Sequence, residues 1–438
     1  MQKESRENFQ SKFGFILACV GSAVGMGNIW LFPYRVAQFG GAAFLIPYAV
    51  CVIVLGVAGS AGEMAFGRAM ESGPLGAFDK AARLRGSKIG AWIGLIPTLG
   101  SLALAIGYSV VVGWIIRYLA ASVSGEVLNV ETTSFFGEIC GNFGSLPWHL
   151  IGLGITFILM ILGVANGIEK INKIMMPLFF VLFAILAVRV AFLDGAMEGY
   201  VYLFKPVWSE VLNVQTWVYA LGQAFFSLSL AGSGTLVYGS YLKKTEDVIA
   251  CAKTVAIFDT MAATLAALVI IPSVFVFGMD LSSGPGLMFI TMPKVFQMMP
   301  FGRLFSIVFF TAVFFAAITS LINLFESSVE ALQTKFGLSR KLSVAAIALV
   351  GTVVGVMIEN GDTVSNWMDV VSIYIIPLGA LLAAIMFFWV CPKGFAREQV
   401  QMGREKKLGS WFEVLTKYVF VGLTIVVYIL GILYGGIG

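Results

Sequence analysis

Apolar residues run along this chain in long blocks with short polar breaks between them. Eleven blocks, at roughly 12–37, 41–69, 88–122, 148–165, 170–193, 214–241, 250–278, 303–334, 341–358, 365–390 and 412–435, approach or exceed the ~20 apolar residues that a bilayer-spanning helix takes. The pattern predicts an all-α integral membrane protein. Charged residues collect in the breaks. With the N-terminus inside, 22 of the 28 Lys and Arg fall on the cytoplasmic side, leaving Arg35, Arg117, Arg189, Lys205, Lys294 and Arg303 outside. That bias predicts a cytoplasmic N-terminus, and an odd number of spans then puts the C-terminus outside. The first block follows a short polar tail and has no signal-peptidase-like ending, so it is expected to stay in the mature protein.

Composition agrees. The chain is 59% hydrophobic and 12% charged, where a soluble globule carries about 25% charged residues. The net charge of +4 reflects the basic cytoplasmic loops and implies no nucleic-acid partner. Of the five cysteines, Cys19, Cys51 and Cys251 lie in spans, Cys391 is cytoplasmic and Cys140 stands alone in an outer loop, so no disulfide framework is expected. The one histidine, His149, begins a span and is expected at the interface. One His and scattered Cys provide no catalytic set, so an enzyme is not expected.

Two blocks are interrupted. In the first, Gly21-Ser-Ala-Val-Gly-Met-Gly-Asn28 places three glycines in seven residues, each costing up to about 1 kcal/mol of helix propensity against Ala. One reading is a glycine packing face. The other is two half-helices around an open middle, which offers amides to an anion and carbonyls to a cation. Asn28 beside the glycines favours the second. In the sixth block, Gln223-Ala-Phe-Phe-Ser-Leu-Ser-Leu-Ala-Gly-Ser-Gly234 repeats the oddity. The two interruptions lie five spans apart, so a second set of five would run inverted in the membrane. Interrupted segments at matching positions of two inverted halves point to a transporter site.

Other polar groups sit at membrane depth. Glu63 either faces the bundle interior or pairs with Arg68. Asp259 is too far along its helix from Lys253 for a simple pair, and is expected to be protonated, paired or bound to a cation. Ala316-Ala-Ile-Thr-Ser320 offers hydroxyls that bond back along the helix or serve a cation, since hard cations prefer oxygen. Tyr108 is uninformative alone. Gly167 and Pro177 flank a stretch of the fifth span that can unwind or can simply be a capped start with a tolerated proline.

The ordered set GSAVGMGNIWLFPY, GGAAFLIPY, GEMAFGR, QAFFSLSLAGSG and AAITS resembles the neurotransmitter:sodium symporter family, in its bacterial eleven-span branch with the LeuT fold. The resemblance implies one transporter domain over 1–438. Residues 12–193 would be the first five-helix repeat, 214–390 the inverted second repeat, and 412–435 an extra helix; helices 1 and 6 would be broken. It implies sodium-coupled symport of an α-amino acid across the bacterial cytoplasmic (inner) membrane.

Residue by residue, the resemblance implies a first sodium site from Ala23, Asn28, Ser227 and Asp259, and a second from Gly21, Val24, Ala316, Thr319 and Ser320. The substrate carboxylate would meet Met26, Gly27 and Tyr108, and its ammonium Ala23, Phe226, Ser227 and Ser229. Val24, Leu104, Phe226, Ser320 and Leu324 would line an apolar pocket, with space opened at Gly232; a large hydrophobic substrate, aromatic or branched, is expected. Arg6 and Phe9 match the inner gate, Tyr241 its contact, and Gly167 to Pro177 the helix-unwinding motif.

The departures are informative. Gly25 replaces the Asp of monoamine members, which favours an α-amino acid. Asp259 supplies a negative charge where chloride-dependent members have a neutral group, so chloride is not expected to be required. Leu31 replaces the usual outer-gate Arg, leaving Arg35 to pair with Asp369. Thr334 occupies the place of the inner gate's acid, leaving Glu330 or Glu326 to substitute. A non-transporting sensor of the same fold and a proton-coupled transporter are the alternatives.

Overall fold

The computed structural model describes residues 7–230, 233–279 and 286–437. All eleven apolar blocks are helical there, and no strand occurs among the described residues. In chain order the spanning elements are α1 (Lys12–Ala23), α2 (Gly27–Gln38), α3 (Ala42–Met70), α4 (Gly90–Ser124), α5 (Leu146–Ile161), α6 (Val164–Ala191), α7 (Val214–Ser227), α8 (Gly234–Gly239), α9 (Val248–Val276), α10 (Gly302–Phe336), α11 (Arg340–Met357), α12 (Gly361–Val390) and α13 (Trp411–Tyr434). Among the described residues, eight of these are each long and apolar enough to cross a bilayer, and α1 with α2, bent by 58°, makes a ninth. The helix α5 is shorter, and the block of α7 and α8 is interrupted.

Both interruptions fall where glycine and polar residues replace the apolar run. At the first, Val24 leaves the helix with φ −73° and ψ 106°, and α2 opens in a wide π-type turn, Gly27–Leu31. At the second, Ser229 and Ser233 take left-handed backbone, each at φ 55°. The freed backbone groups meet protein, as irregular backbone at membrane depth must. Thus Met26 N–H donates to the Tyr108 hydroxyl, and the Ser229 hydroxyl donates to Ser22 O at 2.9 Å.

Large apolar side chains such as Ile53, Ile158, Val188 and Val353 stay exposed along the outer faces of their helices, as expected where lipid is the solvent. Polar groups turn inward. Glu63 is buried and accepts from the Thr235 hydroxyl of α8. Arg68 does not pair with it, because its guanidinium fastens two loops, donating to Glu246 O at 2.6 Å and Gln399 O at 2.5 Å. His149, in the first turn of α5, is fully buried within the protein. It lies 2.8 Å from the Ser109 hydroxyl and 3.5 Å from Glu359, tying α4 and α5 to the corner between α11 and α12. All five cysteines are free.

Candidate functional site

The two interruptions face each other. Asn28, at the start of α2, donates through Nδ2 to Asp259 Oδ1 at 2.7 Å and to Ser227 Oγ at 3.2 Å. The Ser227 hydroxyl donates to Asp259 Oδ2 at 2.7 Å. Asn28 Oδ1 in turn accepts from Gly25 N–H at 3.2 Å, holding the break open from within. Asn28, Ser227 and Asp259 are all buried. Tyr48 donates to Ser227 Oγ at 3.5 Å, and Gln223 to Gly27 O at 3.1 Å. One carboxylate, an amide and a hydroxyl from three helices thus converge at the crossing. Among the described residues no basic side chain pairs with Asp259.

Beside it lies a cavity of about 320 Å³. Ala23, Met26, Gly27, Leu104, Tyr108, Phe226, Ser227, Ser229, Ser320 and Leu324 reach it, as does Asn323, which sequence reasoning did not single out. Val24 is fully buried behind the wall. Gly232 and Arg6 lie outside the described residues. Gly25 faces the Tyr108 hydroxyl and Ser320, where a Cβ would come within 3.1 Å of Tyr108 Oη. The Phe226 ring lies against Gly27, whose missing Cβ would stand 2.9 Å from it.

Of the second predicted cluster, α1 around Gly21 lies against Thr319 and Ser320 of α10. Thr319 Oγ1 donates to Phe315 O and Ala316 O at 2.9 and 3.1 Å, and Ser320 donates to Ser22 O at 3.4 Å. A Cβ on Gly21 would stand 2.9 Å from Thr319 Cβ, so α1 and α10 touch at this point.

The cavity extends toward Leu31, Arg35, Asp369 and the C-terminal Gly435. Arg35 and Asp369 both line it, but no ion pair joins them among the described residues. The Arg35 guanidinium rests 4.2 Å from the Tyr219 ring centre, and its Nη1 donates to Gln38 at 2.9 Å. That aromatic seat, with the cavity between, keeps it from the carboxylate.

The opposite side is closed. Phe9 is buried among Phe15, Tyr238 and Tyr241, with ring centres 5.3, 5.6 and 6.3 Å away. Gln10 N–H and the Ser11 hydroxyl donate to Glu169 at 2.7 and 2.8 Å. The acid beneath this plug is Glu326, which holds Arg340 through two 2.8 Å bonds and accepts from the Tyr241 hydroxyl at 2.7 Å. Glu7 joins Arg340 at 3.3 Å. Glu330, one helical turn further along α10, accepts from Ser72 and Thr334. Arg340 was missed by sequence reasoning; its signal is a lone Arg opening a span, fourteen residues after a buried Glu. The stretch from Gly167 to Pro177 is wound here, entering α6 through a π-type turn, Val164–Glu169. Gly167 is required there, because a Cβ would fall 2.1 Å from Leu159 O.

Comparison with known proteins fits this geometry. The profile of the Sodium:neurotransmitter symporter family matches residues 6–135 and 126–434. A sodium-dependent transporter of Methanocaldococcus jannaschii is 34% identical over 98% of this chain and 91% of its own length. A sodium-dependent transporter of Haemophilus influenzae is 29% identical over 97% of this chain and 98% of its own. The crystal structure of MhsT in complex with L-phenylalanine superposes with a TM-score of 0.87, at 31% identity, over 97% of this chain and 99% of that one. With two interrupted spans crossing at a buried carboxylate, the chain belongs to the sodium:neurotransmitter symporter family and is a multi-pass, sodium-dependent membrane transporter rather than an enzyme.

Proposed function

We propose that this protein imports a hydrophobic α-amino acid, aromatic or branched, together with sodium, by alternating access and without a need for chloride. The observation that carries this reading is the junction of Asn28, Ser227 and Asp259 directly beside the cavity. Sodium at that junction would take the Ala23 carbonyl, the Ser227 hydroxyl oxygen, the Asp259 carboxylate, the carboxylate of the amino acid itself and the Asn28 amide oxygen, which would turn from Gly25 N–H toward the ion. A second ion would take the carbonyls of Gly21, Val24 and Ala316 with the hydroxyls of Thr319 and Ser320. The substrate carboxylate would receive the amides of Met26 and Gly27 and the Tyr108 hydroxyl. The ammonium would face the Ala23, Phe226 and Ser227 carbonyls and the Ser229 hydroxyl. Gly25 puts no carboxylate beside the place of the ammonium. The side chain of the amino acid would lie against Leu104, Phe226 and Leu324; the phenylalanine held by MhsT is of the class such walls favour.

Ionised, Asp259 would itself supply the negative charge at the junction, which would remove the need for a halide. With the N-terminus in the cytoplasm, the C-terminus outside and the chain in the bacterial cytoplasmic membrane, as the basic loops favour, the closed plug at Phe9 and the cavity reaching Arg35 and Asp369 support an outward-facing arrangement. Closure would bring Arg35 toward Asp369, while opening would release Phe9 and unwind α6 between Gly167 and Pro177.

The test is uptake of a panel of radiolabelled amino acids into proteoliposomes. An inward sodium gradient is compared with potassium, each as chloride or gluconate. Sodium-driven accumulation of hydrophobic amino acids, equal in both anions, is the expected result. Uptake driven by a pH gradient without sodium would make Asp259 a proton carrier, and binding without accumulation would make the protein a sensor.

A further inference from the structure

A buried amide on α6 faces the second cation cluster from a direction none of the expected ligands occupies. Asn172 lies midway between Gly167 and Pro177 and is fully buried. Its Nδ2 donates to Ile168 O, one turn back, at 2.8 Å. That bond fixes the orientation of the amide, because only nitrogen can donate to a carbonyl. The oxygen is left pointing away from its own helix, and it accepts no hydrogen bond among the described residues. A buried acceptor without a partner is uncommon and calls for an explanation such as a bound ion or water.

The oxygen is aimed at α1. A Cβ built on Gly21 would stand 2.0 Å from Asn172 Oδ1 and 3.1 Å from Thr319 Oγ1. Two side-chain oxygens, from α6 and α10, therefore flank one point on the backbone of α1 where only glycine fits. A neutral amide oxygen is the kind of hard ligand that alkali cations accept.

We propose that the Asn172 carboxamide oxygen is a further ligand of the cation bound by Gly21 and Thr319, contributed by α6. This rests on the reading of that cluster as a sodium site. The consequence is mechanical: the ion clamps α6 to α1 and α10 while it is bound. Unwinding of α6 between Gly167 and Pro177 withdraws Asn172 and removes a ligand at the moment the path opens.

Sodium alone is the probe, so the test does not depend on knowing the amino acid. Hydrogen exchange of the full-length protein in lipid nanodiscs is followed against sodium chloride, with choline chloride holding ionic strength. In the wild type, sodium slows exchange in α1, α6 and α10 with one common midpoint. Asn172→Ala raises the sodium midpoint about tenfold, equivalent to about 1.4 kcal/mol. Asn172→Asp, which keeps an oxygen in place, brings it back toward wild type, and the ratio of lithium to sodium midpoints changes in both. An unchanged midpoint in Asn172→Ala overturns the proposal and leaves the oxygen to a trapped water. Should neither variant fold, the wild type still decides: sodium protection of α1 and α10 that leaves α6 untouched overturns it too. No sodium effect on any of the three helices would instead overturn the sodium reading of the cluster.

Discussion

Replacing Tyr241 by Phe removes one oxygen from the plug that closes the inner side. Tyr241 donates to Glu326 Oε1 at 2.7 Å, and both are buried. The carboxylate keeps both of its bonds to Arg340, so no buried charge is stranded. The ring stays against Phe9, and Phe9 N–H still meets Tyr241 O at 3.3 Å. What is lost is a hydrogen bond to a charged acceptor, worth roughly 1.5–3 kcal/mol. Arg340 and Glu326 sit on adjacent helices, whereas Tyr241 and the tail must leave together when the inner side opens. The loss therefore falls on the closed state and raises the open population roughly ten- to a hundredfold. Hydrogen exchange reads such openings directly. The amides of Phe9, Gln10 and Ser11, bonded to Tyr241 and Glu169, should exchange faster by that factor, and those in the middle of α10 should not change. Unaltered exchange in the tail, or an equal increase across all helices, would refute the reasoning.

Three further outcomes are expected. Asp259→Asn keeps the shape of the junction but removes its charge; tracer uptake should need at least about tenfold more sodium, the scale of one charge-assisted contact, and should become chloride-stimulated, and uptake with wild-type sodium and anion behaviour would count against the assignment. Arg35→Ala removes the cation that is to meet Asp369, so bound amino acid should dissociate faster from the outer side in a chase experiment; an unchanged rate would remove Arg35 from the gate. Gly67→Ala places a Cβ 1.9 Å from Leu236 O, a backbone atom that cannot swing away, so thermal unfolding should show a loss of about 1–3 kcal/mol or more, as for other overpacked sites.

The spans and the two breaks were legible because both are local. An apolar run must be helical in lipid, and glycine, serine and amide residues inside such a run mark where the helix cannot continue. Asn28, Ser227 and Asp259 were legible as costly polar groups at depth, and they meet in one cluster. What stayed hidden depends on distant partners. Nothing near Arg340 reveals that its guanidinium reaches Glu326, and nothing near Asn172 reveals that its oxygen faces Gly21. Nothing near His149 at the head of its span reveals that Ser109 and Glu359 lie around it. The winding of α6 between Gly167 and Pro177 was undecidable for another reason: that sequence suits both a capped start with a tolerated proline and a stretch that unwinds, and the structure holds the wound form.

The central claim is that cation and amino acid share the junction of Asn28, Ser227 and Asp259, and equilibrium linkage tests it most directly. Binding of the transported amino acid is measured across sodium concentrations, and binding of sodium across amino-acid concentrations. If each completes the other's site, the factor by which saturating sodium tightens the amino acid must equal the factor by which the amino acid tightens sodium. The account predicts that this shared factor is large and collapses in Asp259→Asn. Amino-acid affinity that ignores sodium and follows pH would contradict it.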